Sequence, residues 1–440
     1  MKNLKSKALA VFVMLMAVSV CANIPGFRVM AASSADALVY VALGDSVPAG
    51  YALPDPETES YVGFLSEQMK SGGKTVETYN LARSGLTTTQ LLDALNGMAA
   101  AEQAVLAGAD VITLNIGGNN ILGPVISRIG QIALDAGITG MDITNAQPEQ
   151  IAQIFISLMT FVPDEALDAS LQAGVAAFTS DFAEIIALLK AEAPNAAMIV
   201  STVYNPIPAG LGLSDTAKEL ITGMNALILG GAETGGYGIA DTYEAFTLAE
   251  AAGIRVTNVN LDMTKGPVSI DIHPNAAGHA LMAQIHAAVL YPDMPVKRGM
   301  AVTLLHRLMG SPDAGDMTNP FRDVSGDDYS VRAVTWAAQT GLVKGYGNGL
   351  FGTEDDVSRQ DLAVIIWKFQ NITGYILPDI LMGKEFPDWD DISDYAKSAV
   401  NKLTLQGITN SGQDGKFAPR SGATCADLAE MLTKFLGFLD

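Results

Sequence analysis

Of the four histidines in this 440-residue chain, His273 has a setting unlike the other three. It lies in DIHPNAAGHALMA, a loop reading with Asp271 two residues before it and Pro274 after it, whereas His279 and His286 follow at helical spacing and His306 falls in a repeated region. Those three read as structural histidines, on a helix surface or partly buried. An imidazole titrates near neutrality, so it can take a proton and give it back during a reaction. A hydroxyl for it to serve is offered by VALGDSVPAG, where an apolar run ends at Gly44-Asp45-Ser46. A serine deprotonated as it attacks a carbonyl passes through a tetrahedral intermediate, whose oxyanion must meet fixed donors. Two positions can supply them. Gly85 in NLARSGLTTT lets a backbone N–H approach closely because no side chain intervenes, and Asn119 in LNIGGNN carries a donating amide.

These features sit far apart and need elements that bring them to one rim. From Ala37 onward short apolar runs alternate with amphipathic stretches, the pattern of a parallel sheet covered on both faces. Strands are predicted at 38–43, 76–80, 111–116, 198–203 and 255–259, with helices at 60–71, 88–107, 179–192, 215–229 and 276–290. Ser46, Gly85, Asn119 and His273 then fall in that order at strand ends, and a parallel sheet gathers its carboxyl ends along one edge, where open α/β sheets bind ligands. The unit is expected to span 36–292. Between 121 and 177 an extra helical insertion, including the apolar QIAQIFISLMTFV, is placed to act as a lid.

The blocks GDS, the glycine after the second strand, GGNN, and HPN-x-x-GH resemble the four blocks of the SGNH/GDSL hydrolases. The resemblance implies a flavodoxin-like three-layer α/β/α fold with Ser46 as nucleophile and His273 as base. It also implies that the N–H groups of Ser46 and Gly85 join the Asn119 amide as oxyanion donors, with no cofactor and no metal. Two positions depart from the pattern. The third block ends in Asn120 instead of aspartate, and the place three residues before the histidine holds Ile270. Asp271 is the expected partner of His273 by analogy with other triads, with a backbone carbonyl as the alternative.

A formal charge of −21 argues against nucleic acid as a partner. Lys2, Lys5 and Lys7 followed by an apolar run from Ala8 to Val20 read as a signal peptide within 1–32, implying export. Export would discard Cys21 and leave Cys425 without an internal disulfide partner, as a small core residue.

Beyond Pro295 the texture changes to repeats. The copy at 321–373, opening FRDVSGDDYS, is echoed at 386–438 by FPDWDDISDY at a period of about 66 residues, and a partial copy at 296–310 matches only the second helix of the unit. These segments, within 293–440, resemble S-layer homology motifs. That resemblance implies helical bundles binding cell-wall polysaccharide, with Arg298 and Arg359 as contacts for an acidic glycan and Cys425 replacing the arginine in the last copy. The expected protein is a secreted, wall-anchored esterase or lipase of a Gram-positive bacterium acting on acyl esters. Its alternatives are an O-acetyl esterase on wall or plant polysaccharide and an inactive surface scaffold.

Overall fold

The computed structural model describes residues 37–437 apart from 71–74, 136, 138–149, 151–155, 158–159, 161–163, 209–211, 261–268, 270, 314–317, 375–376, 382–385, 410 and 412–413. The signal-peptide reading, most of the apolar stretch at 151–162 and Ile270 lie outside the described residues.

Five parallel strands form one sheet among these residues: β1 (Leu38–Gly44), β2 (Val76–Asn80), β3 (Val111–Asn115), β4 (Ala197–Ser201) and β5 (Gly238–Ala240), in the order β2-β1-β3-β4-β5. Strands β3 and β4 are buried along their whole length, which explains their unbroken apolar runs, while edge strand β2 exposes Glu77 and Asn80. β1 ends where it must pass close to β3. Gly44 has φ +136°, and a Cβ there would stand 1.8 Å from the Asn115 carbonyl oxygen, so only glycine fits.

The helices of this half are α1 (Pro56–Glu59), α2 (Tyr61–Lys70), α3 (Thr88–Asn96), α4 (Ala100–Ala107), α5 (Gly118–Asp135), α6 (Glu165–Glu192), α7 (Ser214–Gly235), α8 (Thr242–Ala251) and α9 (Ala276–Leu290). Helices α2 and α9 pack together on one side, whereas α3, α4, α5 and α7 gather around α6 on the other, giving the expected three layers. The predicted helix at 88–107 is two helices, because Gly97 caps the first. α6 begins at 165, well before the predicted 179, at Asp164, whose carboxylate accepts the Leu167 N–H at 2.9 Å. Among the described residues the insertion includes α5, the first half of α6 and helical positions at 150 and 156–157 between them.

The last strand lies elsewhere than the sequence pattern predicts. It is Gly238–Ala240, three residues following Gly236, which closes α7 in the left-handed conformation and is too near it to leave a periodic signal. The segment 255–259 is extended, but it pairs antiparallel with the histidine loop instead of joining the sheet, through the bridges Thr257 to Pro274 and Asn260 to Ser269.

The second half comprises α10 (Arg298–Leu308), α11 (Val331–Gln339), α12 (Arg359–Thr373), α13 (Asp394–Leu405) and α14 (Cys425–Gly437). Its repeats form a closed ring of backbone bonds. Val296 donates to Ala423, Ala423 to Val357 and Val357 to Val296, at 2.8, 2.7 and 2.8 Å. One step on, Arg298 donates to Asp355, Arg359 to Ser421 and Cys425 to Met294. Within each full copy the shared aspartate holds its loop: Asp323 accepts from Phe351 and Gly352, and Asp388 from Phe417 and Ala418. The second helix of each copy packs on the first helix of the next, α10 on α11 and α12 on α13. α14 packs on α8 and α9 of the first half, which supply the surface that the partial copy does not.

Candidate active site

Ser46 stands in the tight turn that follows β1. Asp45 builds this turn: its Oδ1 accepts the Val47 N–H at 3.1 Å, its carbonyl accepts that of Ala49, and the Ser46 carbonyl accepts that of Tyr51. From the far end of the domain His273 brings its Nε2 to 3.0 Å from the Ser46 Oγ. Its other nitrogen, Nδ1, lies 2.6 Å from the Asp271 Oδ1, which also accepts the His273 backbone N–H at 3.1 Å. With the ring proton on Nδ1, held by the carboxylate, Nε2 has its lone pair directed at the hydroxyl. The side chains of His273 and Asp271 are 17% and 30% exposed, enough to admit a substrate and little enough to keep the relay largely dry.

The loop bearing this histidine is braced on several sides. Asn258 donates its side-chain amide to the Asp271 Oδ2 at 2.9 Å, and its backbone N–H to the His273 carbonyl at 2.8 Å. Ser269 accepts from the Asp271 N–H, Tyr204 donates to the Ile272 carbonyl, and the Tyr51 ring lies against the imidazole at 4.4 Å. Behind the loop Asn275 caps α9 by accepting the Gly278 N–H. Burial alone would raise the Asp271 pKa, but the hydrogen bonds from His273 and Asn258 outweigh it and hold this carboxyl below its usual range. Asp45 goes the other way: burial pushes it up to about 6, against the Val47 N–H and the nearby His273.

A cavity of about 20 Å³ opens at Ser46 and His273 and is also lined by Asn115, Asn119, Leu122 and Tyr204. Asn119 is therefore at the site, with its Nδ2 donating one hydrogen to the Leu86 carbonyl at 3.1 Å. Gly85 is not among the lining residues. It is exposed in the loop after β2 with φ +87°, and a Cβ at this position would meet nothing within 4 Å, so its glycine character serves the turn. The departure at Asn120 has a local reason. Its Oδ1 accepts the Thr88 N–H as a carboxylate would, while its Nδ2 donates to the Thr88 hydroxyl and the Gly174 carbonyl, which a carboxylate cannot do.

The remaining histidines are all buried and away from this cavity. His279 accepts the Tyr61 N–H, and burial draws its pKa down to about 3. His286 bridges Met282 and Ser201, and burial lowers it to about 4. His306 is bonded to the Pro312 carbonyl. No group of three His, Cys, Asp or Glu side chains suited to a metal occurs among the described residues.

In the repeats Arg298 donates to the carbonyls of Phe351 and Lys344 and lies over the rings of Tyr346 and Phe351. Arg359 makes the equivalent bond to Phe417 and is also paired with Asp427. Cys425, at the third such position, is buried, and its carbonyl accepts the Gln284 amide from α9. Sequence reasoning does not reach Asn258, Tyr204 or Tyr51, since an asparagine in an extended run and two isolated tyrosines carry no spacing signal.

Comparison with known proteins agrees with this division. The model of the GDSL-like lipase/acylhydrolase family matches residues 42–281, and that of the S-layer homology domain matches 320–363 and 385–429. A cell surface glycoprotein of Acetivibrio thermocellus is 24% identical over 136 residues, 30% of this chain, and the match spans only 6% of that protein's length. A lipase from a goat rumen metagenome is similar at 21% identity, covering 58% of this chain and 98% of its own, with a TM-score of 0.37. An acetyl xylan esterase of Geobacillus stearothermophilus is similar at 14% identity, covering 59% and 96%, with a TM-score of 0.36. Since the first family model covers more than half of the sequence and includes the turn at Ser46, the chain belongs to the GDSL-like lipase/acylhydrolase family and carries S-layer homology domains behind that unit.

Proposed function

We propose that the chain is a cell-surface serine ester hydrolase acting through an acyl-Ser46 intermediate. His273 takes the Ser46 proton as Oγ attacks the ester carbonyl and returns it to the leaving alcohol. The same imidazole then activates a water that releases the acid. Asp271 keeps the ring in the required tautomer and favours the imidazolium that forms, while the second hydrogen of the Asn119 amide and the Ser46 N–H meet the oxyanion. Gly85 would add its N–H only if its loop approaches a bound substrate. The observation that carries this reading is the unbroken relay, 3.0 Å from hydroxyl to imidazole and 2.6 Å from imidazole to carboxylate, made by residues 227 positions apart.

The recess between Ser46 and His273 is small, about 20 Å³, which supports the acetyl-ester reading over the long-chain one. Purified protein is expected to release p-nitrophenol from the acetate ester at least about tenfold faster per kcat/KM than from the octanoate, a discrimination well within what pocket shape provides. Ser46→Ala is expected to lose roughly a thousandfold or more of that activity. A rate unchanged in Ser46→Ala sinks the mechanism, and an octanoate preference sinks the short-acyl reading.

The S-layer homology domains support retention at a wall polysaccharide after export. Arg298 is the stronger candidate for an acidic glycan contact, since its partners are carbonyls and rings whereas Arg359 is already committed to Asp427.

A further inference from the structure

The last residue of β3, Asn115, is 6% exposed and lines the small recess at Ser46 and His273. Its backbone is committed: it lies beside Gly44 in the sheet register, and its carbonyl accepts the Asp45 N–H at 3.2 Å. Its side chain is not. The amide makes no hydrogen bond among the described residues, and neither of its polar atoms is sealed within the protein, so it opens on the recess. With no bond fixing its orientation, the amide can turn its NH2 group to the opening. Side chains alternate along a strand, so Asn115 shares a face with Thr113, whose hydroxyl accepts from Tyr61 of α2 at 3.5 Å. That face is covered by α2 and α9, and the loop of His273 leads into α9. The turn after β3 brings a second amide alongside. Gly117 has φ +110°, and a Cβ there would stand 2.6 Å from the Phe178 ring, so only glycine lets the chain pass and start α5 with Asn119 on the same recess.

A polar side chain that is buried and left unbonded weakens a fold, so one that faces a reacting centre points to a bond made during the reaction. The oxyanion has room for another donor, because Gly85 is not at the recess and Asn119 already has one amide hydrogen on the Leu86 carbonyl. We propose that Asn115 is a further oxyanion donor. As the Ser46 Oγ bonds the carbonyl carbon, the π pair of the C=O moves to oxygen, and the Asn115 NH2 meets the charge that appears there. The inference rests on the acyl-Ser46 reading and adds a residue to it.

The test is steady-state kinetics of the full chain on p-nitrophenyl acetate, comparing the parent with Ser46→Ala, Asn115→Leu and Asn115→Asp. Asn115→Leu keeps the size of the side chain without its donor. It is expected to lower kcat and kcat/KM together by about a hundredfold, with KM within about twofold of the parent, because an oxyanion bond exists only in the transition state. Its melting temperature should equal or exceed the parent's, since nothing in the fold uses the amide. Should that variant fail to fold, Asn115→Asp keeps shape and polarity but offers a carboxylate to the oxyanion. It is expected to lose at least as much kcat, with the deficit relative to the parent shrinking as pH falls and the carboxyl gains a proton to donate. A kcat within about threefold of the parent in both variants, or a raised KM at unchanged kcat, would overturn the proposal; the second result would make Asn115 a wall of the acyl site. In either case Ser46→Ala still abolishes the activity. A rate that Ser46→Ala leaves unchanged would instead remove the acyl-serine reading itself, and the Asn115 proposal with it.

Discussion

The histidine loop and the arginine positions of the repeats each fix a charged or titratable side chain against a distant part of the chain, and they do so with different partners. At His273 the partners are side chains: the Asp271 carboxylate is held by Asn258, and the imidazole by Asp271 and Ser46. At Arg298 and Arg359 the shared partner is a backbone carbonyl of the next copy, Phe351 or Phe417. The first arrangement leaves a lone pair directed at a reacting atom and depends on each side chain in the relay. The second spends the guanidinium largely on joining copies, so it survives divergence of the surrounding residues and can be dropped where no neighbouring loop requires it, as at Cys425.

The sharpest way to break this comparison is to remove the carboxylate from the relay. Asp271→Asn is expected to lower kcat on p-nitrophenyl acetate by a factor of about 10²–10⁴ with little change in melting temperature, because the wrong tautomer then faces Ser46. Asn258→Ala acts only through Asp271 and should cost far less, about tenfold, with the loss growing as pH falls and Asp271 is more easily protonated. A kcat unaffected by Asp271→Asn would assign the orienting role elsewhere. On the repeat side, Arg298→Ala is expected to reduce sedimentation with purified wall polysaccharide more than Arg359→Ala does, whereas Arg359→Ala, which leaves the Asp427 carboxylate held only by Thr424, should cost more stability, roughly 1–3 kcal/mol by denaturant unfolding. The reverse ranking would mean that the arginines are only ties between copies.

Asp45 provides the most specific test, since it belongs to the turn at Ser46 without joining the relay. Its folded pKa is raised to about 6 from an ordinary 3.8, so its neutral form suits the fold and stability falls as pH rises between those values. The loss is complete above about pH 6 and amounts to about 2–3 kcal/mol at most. Asp45→Asn, which keeps an acceptor for the Val47 N–H, is expected to be more stable than the parent at pH 8 and to lose that advantage by pH 4. An advantage that does not change with pH would refute the buried-carboxyl account.

The convergence of the blocks was legible because a parallel sheet gathers its strand ends on one edge, and Ser46, Asn119, Asp271 and His273 all line or adjoin one cavity. The pattern misleads at Arg255–Val259, where an apolar extended run braces the histidine loop; apolar alternation reports burial on one side, and burial under a loop reads the same as burial in a sheet. The three-residue β5 was invisible for the opposite reason, being too short to show a period. Gly85 illustrates a limit of motif reasoning, because a glycine kept for its positive φ looks identical to one kept for approach to a ligand. The repeats were legible through their period, but the reason for the truncated first copy was not, since it lies in α8 and α9 of the preceding domain.

The closure of the bundle by α8 and α9 also fixes how the two halves are joined. Leu290, Tyr291 and Val296 at the junction are buried, so the chain passes from one half to the other without slack. A protease severing it there would strip cover from the very helix that His273 and Pro274 lead into, instead of shedding a working fragment. In the reading proposed above, the mouth at Ser46 and the ring of repeats are thereby held at one fixed angle to each other.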